Sequence, residues 1–322
     1  MTFTQLRILQ AVARAGNMTR AAEELATTQS AVSHALRALE SELGVALLVR
    51  GSQGVRLTAA GRAVCRRATL ILTQAEALEQ EVAAIRGQER GSLRVGVIPS
   101  ANARLLPPLL RRFAEAHPRV RLAVMEGSDD EVLEWLATGA ADIATVSAAV
   151  SEVPRPAGAV ALSVDDVPLP VGSVARPVGV VSLPAGAVAR PLAVDRMLAV
   201  LPSGHELSVR HSLPVAELAR HPFIMSTGGC EPLITAIARA AGVSLKCHYR
   251  VRDTSSILAM VAEGLGLSVV PELSLPAHLA GVHAIPLEPA AERTVLLALP
   301  ADPLPAAVAF AELATAHHAA SP

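Results

Sequence analysis

Aromatic side chains are nearly absent from this sequence. Its 322 residues include one Trp, one Tyr and four Phe, so its cores must be packed with aliphatic side chains. Lysine is almost missing too, since Lys246 is the only one and the other basic residues are arginines. Three cysteines are too few for a disulfide framework and fit a reducing compartment. No apolar run reaches the roughly 20 residues a membrane-spanning helix needs. The N-terminus opens on polar Met1-Thr2-Phe3-Thr4-Gln5, without the basic patch and apolar core of a signal peptide. A cytoplasmic protein is expected. There is no Gly-x-Ser-x-Gly elbow, no His-Glu-x-x-His pair and no P-loop. Gly264-x-Gly266 follows a helix pattern instead of a strand, the wrong context for a dinucleotide fingerprint. Cys230 lies seventeen residues from Cys247, and adjacent Cys247 and His248 point to opposite faces of a strand, so no metal site is read there. No catalytic residue, metal or cofactor is expected.

What remains is 51% hydrophobic with a formal net charge of -1, which excludes bulk disorder and suits two or three domains. The near-zero charge conceals a split. Up to Arg67 nine Arg stand against four Glu, a net of +5, whereas the rest carries 19 basic and 25 acidic residues, a net of -6. A basic head on an acidic body fits one domain that faces a polyanion and another that does not.

The head reads as short helices. Leu6, Leu9 and Ala13 form a stripe stopped by Gly16-Asn17. Thr19 is placed to cap a second helix carrying Ala21, Ala22 and Leu25. After a break at Ala26-Thr27, a third helix starts from Thr27 or Thr28 with a stripe of Ala31, Ala35, Leu39 and Leu43, Val32 and Leu36 beside it, and Gly44 beyond its end. Ser30, Ser33, His34 and Arg37 share another face of that helix, with Gln29 at its leading edge. These short donors and acceptors, with an arginine, suit base edges and phosphate. Leu47 to Arg50, a Gly51-Ser52-Gln53-Gly54 turn and Val55-Arg56-Leu57 make a small hairpin with Arg50 and Arg56 on its two strands. The whole is a winged helix-turn-helix.

Thr58 can cap a long helix running to Arg86. Along it Val64, Ala68, Ile71, Ala75, Leu78, Val82 and Ile85 alternate spacings of four and three. Such a seven-residue repeat asks for a helical partner, and a dimerisation helix is expected. Residues 87–91 form a hinge. Strand and helix patterns then alternate, the signature of an α/β domain with ligand space at the C-terminal strand ends. That places Ser100, Asn102, Thr145 and Ser147 in a candidate pocket. A second α/β unit contains Phe223-Ile224-Met225 and a Ser226-Thr227-Gly228-Gly229 turn before a helix, where Thr227 and the following amides suit an anion. Between the units, 151–186 is rich in Pro, Val, Ala and Gly and has no clear period.

These residues carry a resemblance. Phe3-Thr4-Gln5-Leu6-Arg7, Thr19-Arg20-Ala21-Ala22-Glu23-Glu24-Leu25, Thr28-Gln29-Ser30-Ala31-Val32-Ser33, Leu43-Gly44-Val45-Ala46-Leu47-Leu48-Val49-Arg50 and Leu57-Thr58-Ala59-Ala60-Gly61 are similar to the head of a LysR-type transcriptional regulator. Gly91-Ser92-Leu93-Arg94-Val95-Gly96, Asp142-Ile143-Ala144 and Gly264-Leu265-Gly266-Leu267-Ser268-Val269-Val270-Pro271 agree more loosely. The resemblance implies an α/β effector domain of periplasmic-binding-protein type with two subdomains, preceded by an all-α winged helix-turn-helix and a long linker helix. It implies domains at 1–60, 61–90 and 91–302, with a C-terminal helix and tail at 303–322. Subdomain I would take 91–150 and 272–302, and subdomain II 187–271. Thr28, Gln29, Ser30, Ser33, His34 and Arg37 would read or grip double-stranded DNA, supported by Arg50 and Arg56. Ser100, Asn102, Thr145, Ser147, Thr227, Val269 and Val270 would line the effector cleft. Partners implied are promoter DNA, a small effector, RNA polymerase if the chain activates, and further copies of itself as a dimer or tetramer. The aromatic-poor body favours a small polar or anionic effector. Segment 151–186 departs from the family by an excess of roughly thirty residues over the usual connection. The alternative is a solute-binding or enzymatic α/β protein whose head serves assembly.

Overall fold

A computed structural model of the chain describes residues 1–51, 54–85, 91–148 and 183–319. It divides into two compact units, the first formed mainly by Met1–Gly91 and the second by the rest.

The first unit starts with α1 (Phe3–Ala15), whose Thr2 and Gln5 form a reciprocal capping box, and whose Gly16 ends the helix in the left-handed conformation. Helix α2 (Met18–Glu24) is capped by Asn17, whose side chain accepts from the amides of Thr19 and Arg20. The expected cap, Thr19, lies inside the helix, because the Asn17 carboxamide oxygen already accepts from both free amides. Helix α3 (Gln29–Leu43) is capped by Thr28 and stopped by left-handed Gly44. Its buried stripe is Val32, Leu36 and Leu39, packed with Leu9, Val12 and Ala21. Ala31 and Leu43, expected in that stripe, are exposed. The inward face is thus centred on the larger side chains at 32 and 36, which bury more apolar area than alanine.

The wing is an antiparallel pair, β1 (Leu48–Gly51) and β2 (Gly54–Leu57), with Arg50 opposite Val55 and Val49 opposite Arg56. Three bonds tie it down. The Glu40 carboxylate on α3 accepts from the amides of Leu47 at 2.7 Å and Leu48 at 3.2 Å, and Val55 N–H donates to the Gly16 carbonyl at 2.9 Å. Helix α4 (Ala59–Ile85) follows, its Gly61 amide donating to the Thr58 hydroxyl at 2.9 Å, as the capping expectation required.

The second unit is one sheet flanked by helices. Its first half holds β3 (Gly91–Val97), α5 (Pro99–Arg104), α6 (Leu106–Ala116), β4 (Val120–Glu126), α7 (Asp129–Thr138) and β5 (Ile143–Ala148). After the undescribed residues come β6 (Val188–Pro202), β7 (Leu213–Pro214), α8 (Val215–Leu218), β8 (Phe223–Ser226), α9 (Glu231–Ala240), β9 (Cys247–Val251), α10 (Thr254–Ala262), β10 (Leu267–Pro271), β11 (Val282–Glu288), β12 (Glu292–Leu299) and α11 (Pro305–Ala319). Strand order is β4-β3-β5-β12-β6-β10-β8-β9, with β11 also on β6 and β7 on β11. Parallel pairs β3/β5, β8/β10 and β8/β9 sit at the two ends. Both faces of the middle are covered. Met197, Ala199 and Leu201 enter one core with Phe223 and Ile234, whereas Leu198 and Val200 enter another with Ile224 and Val261. That is why these strands read as unbroken apolar runs.

Strand β6 joins the halves. Its 15 residues extend about 50 Å at ~3.3 Å each, too long for one half. Val188 to Arg196 pair with β12, Met197 to Val200 with β10, and Leu198 to Pro202 with β11. The sequence reading placed 187–271 in one subdomain and 272–302 in the other. By pairing, the start of β6 lies with β12, itself paired with β5, whereas β11 pairs with the end of β6 and with β7. No composition break marks a border that falls inside a strand. Of segment 151–186, residues 151–182 lie outside the described residues. No described helix is long and apolar enough to cross a membrane.

Gly61 is fixed by close approach. A Cβ there would lie 2.0 Å from the Leu47 carbonyl oxygen, at the point where the wing enters α4. Gly61→Ala raises helix propensity by about 1 kcal/mol, but the clash should outweigh it, for a net loss of about 1–2 kcal/mol. Urea unfolding of the full chain followed by circular dichroism checks this, and a raised midpoint would refute it.

Candidate functional site

The polar face of α3 forms a shallow depression of about 540 Å³ lined by Gln29, Ser30, Ala31, Ser33, His34 and Arg37. Thr28 stands at its edge, where its hydroxyl accepts from the Ala31 amide at 3.2 Å and bonds the Ser30 hydroxyl at 2.9 Å. Gln29, Ser30, His34 and Arg37 are exposed, but Ser33 is buried. Its oxygen accepts from Arg37 Nη2 at 3.0 Å. Ser33 therefore aims the guanidinium, and the exposed groups present donors and acceptors outward. Arg56 is exposed on β2. Arg50 is on β1, and its side chain lies outside the described residues.

The seam expected on α4 is not used uniformly. Ala68 is covered within the chain by Leu6 and Leu72, and Val64 and Cys65 pack on the core of the head. Gln10 Nε2 also donates to the Thr69 hydroxyl at 2.8 Å, fixing α1 on this part of α4. Farther on, Ile71 is 39%, Leu78 63% and Val82 41% exposed. Ala75 is half-buried, and the Ile85 side chain lies outside the described residues. The first two seam positions thus serve the head, because α1 docks where the repeat begins.

In the second unit, polar side chains from both halves of the sheet meet around Arg293 on β12. Its guanidinium, 3% exposed, donates to Asp195 Oδ2 on β6 through Nε at 3.0 Å and Nη2 at 2.8 Å. It also donates to the Ser100 hydroxyl on α5 and lies 3.7 Å from Cys230 Sγ at the start of α9. The other Asp195 oxygen accepts from the Leu273 amide at 3.0 Å. Burial pushes the Asp195 carboxyl up from its ordinary range, against the pull of Arg293. Burial likewise raises the Cys230 thiol. Beside them Asp129, in the first turn of α7, accepts from the Ser147 amide and, at 2.9 Å, from its hydroxyl. Burial raises this carboxyl too, though both Ser147 bonds lower it. Nearer the surface, Arg252 Nη2 donates to Glu131 Oε2 at 2.6 Å, both side chains being exposed.

Comparison with known proteins agrees with this two-unit arrangement. A family model described as the bacterial regulatory helix-turn-helix protein, lysR family, matches residues 3–62, and the LysR substrate binding domain matches 86–170 and 171–319. A probable HTH-type transcriptional regulator, LrrA, of Synechococcus elongatus is 32% identical over 97% of this chain and 95% of its own length. The chain belongs to the LysR family. An uncharacterised HTH-type regulator of Bacillus subtilis, YvbU, is 30% identical over 93% of this chain and 92% of its own. The fold is also similar to that of a full-length OxyR variant from Pseudomonas aeruginosa, with a TM-score of 0.66, 23% identity, and coverage of 98% of this chain and 97% of that one. As a LysR-family member the chain is a DNA-binding transcriptional regulator with an effector-binding domain.

Within that LysR-type effector domain the predicted cleft residues separate. Ser100 and Ser147 lie at the polar centre. Thr145 is buried, and its hydroxyl accepts from the Ile98 amide at 3.0 Å, which holds β3 to β5. Asn102 donates to Glu126 at 2.7 Å on a more exposed surface, and half-buried Thr227 follows β8, its amide donating to the Val251 carbonyl at 2.8 Å. Val269 and Val270 do not line the cleft. They are buried in the two opposite cores of the sheet, since successive strand residues face opposite ways. Sequence reasoning missed Arg293, Asp195, Asp129, Glu131 and Arg252. The first two left little signal, since Asp195 adjoins Arg196 and Arg293 lies between Glu292 and Thr294, each in a polar stretch of its strand. Among the described residues no group of three or more His, Cys, Asp or Glu is placed to hold a metal ion.

Removing one member of a buried ion pair leaves the other uncompensated, at a cost of about 3–5 kcal/mol. Arg293→Met should destabilise the full chain by that order, and adding Asp195→Leu should recover most of the loss. Thermal unfolding of the single and double variants measures it. Equal losses that simply add would show that the pair is not coupled.

Proposed function

We propose that this regulator reads promoter DNA with the α3 face. Gln29, Ser30, His34 and Arg37 face base edges and phosphate, Thr28 sits at the helix N-terminus, and Ser33 positions Arg37. Arg50 and Arg56 of the wing meet the backbone. The observation that carries this reading is the depression on α3, where outward donors and acceptors gather on one rigid helix above a packed core. The basic balance of the head supports it. Regulation comes from a small polar or anionic metabolite held between the halves of the effector domain, near Ser100, Asn102, Ser147 and Thr227. Thr145, Val269 and Val270 act behind that surface as packing. The domain binds without turnover and needs no cofactor. We place the protein in the cytoplasm, acting as a homodimer or tetramer and, where it activates, beside RNA polymerase.

Arg37→Ala should weaken binding to a specific site by about 1–3 kcal/mol and relax its sequence preference. Arg56→Ala should weaken all DNA alike and reduce the salt slope by about one. Fluorescence anisotropy with the chain's own upstream DNA and a scrambled duplex separates the two. Wild-type protein that binds both duplexes equally would overturn the proposal.

The exposed part of the α4 seam, Ile71, Leu78 and Val82, fits the same helix of a second copy. Leu78→Asp should convert the dimer to monomer in light scattering at micromolar concentration. A variant that keeps the wild-type mass would remove α4 as the dimer contact.

A further inference from the structure

The rim of the effector cleft carries a contact that the central Arg293 cluster does not require. Arg252 follows β9 in one half of the sheet and Glu131 lies in the first turn of α7 in the other. Their bond, Nη2 to Oε2 at 2.6 Å, joins the two halves. The same Glu131 oxygen also accepts from Ser128 N–H at 2.7 Å and Ser128 Oγ at 2.9 Å. The carboxylate is therefore oriented by its own half. These bonds, that from the Ser128 amide foremost and that from Arg252 next, hold it down to about 2, so it is charged at any physiological pH.

The backbone behind the pair is fitted to the closed position. A Cβ at Gly228 would lie 2.7 Å from the Arg252 carbonyl, and one at Gly229, whose φ is +106°, would lie 3.3 Å from Asp129 Oδ2. The turn after β8, the start of α7 and Arg252 meet at one place only because these two residues have no side chain. Neighbouring arginines are engaged elsewhere, Arg250 with Glu231 inside its own half and Arg293 with Asp195. The Arg252 and Glu131 side chains are 58% and 43% exposed, so water and salt reach the bond. An exposed pair of this kind contributes little and exchanges readily.

We propose that Glu131 and Arg252 form a latch across the cleft mouth, and that a carboxylate-bearing effector enters by exchange, displacing Glu131 from Arg252. This rests on the reading of the cleft as the effector site. Glu131 is in effect a resident carboxylate on the guanidinium, and the planar fork of Arg252 accepts another carboxylate with the same geometry. Arg293, buried and matched by Asp195, offers no such exchange.

The test uses the full chain and the variants Glu131→Gln, Arg252→Gln and Arg250→Gln, each checked by circular dichroism for an intact fold. Hydrogen exchange without ligand reports the latch. Exchange over 226–231 and the start of α7 should accelerate in the first two variants and stay at the wild-type rate in Arg250→Gln. Succinate and citrate, titrated against chloride at equal ionic strength and followed by calorimetry, report the exchange. Relative to wild type, Glu131→Gln should bind one of them about two- to five-fold more tightly, the range an exposed pair can supply, and Arg252→Gln should lose binding. Unchanged hydrogen exchange in both latch variants overturns the latch. Carboxylate binding that is absent throughout, or equally weakened by both variants, overturns the exchange. Specific DNA binding by the wild type tests the regulator reading independently, so the two failures are distinguishable.

Discussion

A guanidinium excluded from water must be neutralised where it stands, and Arg293 meets that requirement with groups from separate parts of the chain. Asp195 comes from β6, Ser100 from α5 and Cys230 from the start of α9. Each belongs to a different stretch of the effector domain, so placing the charge correctly fixes β12 against β6 and brings α5 and α9 to a common point. The pair adds little net stability over an apolar replacement, because desolvation of both charges offsets their attraction. Its effect is on geometry. An apolar contact here would tolerate sliding, whereas a guanidinium with three differently directed partners accepts one arrangement.

The head depends on a similar economy of means. Its helices are short, and none would persist alone in water. Their starts are closed by Thr2, Asn17, Thr28 and, on α4, Thr58, and α1 and α3 stop at Gly16 and Gly44. The wing is then held from both sides, by the Glu40 carboxylate and by the Gly16 carbonyl. These tethers matter because α3 presents its polar face outward and gains nothing from it in packing. The stiffness needed to place Arg37 must come from the opposite face, where Val32, Leu36 and Leu39 are buried.

What could be read from the sequence follows from how locally each feature is encoded. Caps, glycine stops and the hairpin pairing depend on neighbours within a few residues, and they were legible apart from the choice of Asn17 over Thr19. The 3.6-residue period gave α3 but misplaced its stripe by one position, since Ala31 and Ala35 satisfy the same spacing as Val32 and Leu36. Features set by distant partners were not legible. Asp195 and Arg293 meet across 98 positions, and each has another charged residue beside it in its strand, so neither stands out in sequence. Val269 and Val270 were taken for cleft residues by position in the motif, but the sheet has cores on both faces and leaves neither exposed. The seven-residue repeat of α4 ran true in sequence, yet α1 covers its first turns, which no count of spacings reveals.

The distribution of polar and apolar closure in the effector domain sets how it can respond. A ligand shifts a two-state equilibrium only by its difference in affinity for the two states, and a swing from mostly one to mostly the other takes about 5.5 kcal/mol. Had the halves closed on an apolar surface, burial at ~25 cal/mol per Å² would make a few hundred Å² too strong for a small metabolite to oppose. Instead the centre is held by β6, which runs through both halves, and by the Arg293 cluster. The rim is held by an exposed bond between Arg252 and Glu131. On the reading proposed above, movement would be confined to the edge where resistance is least. A small effector would gain its leverage there, because the contacts it disturbs are weaker than those it can make.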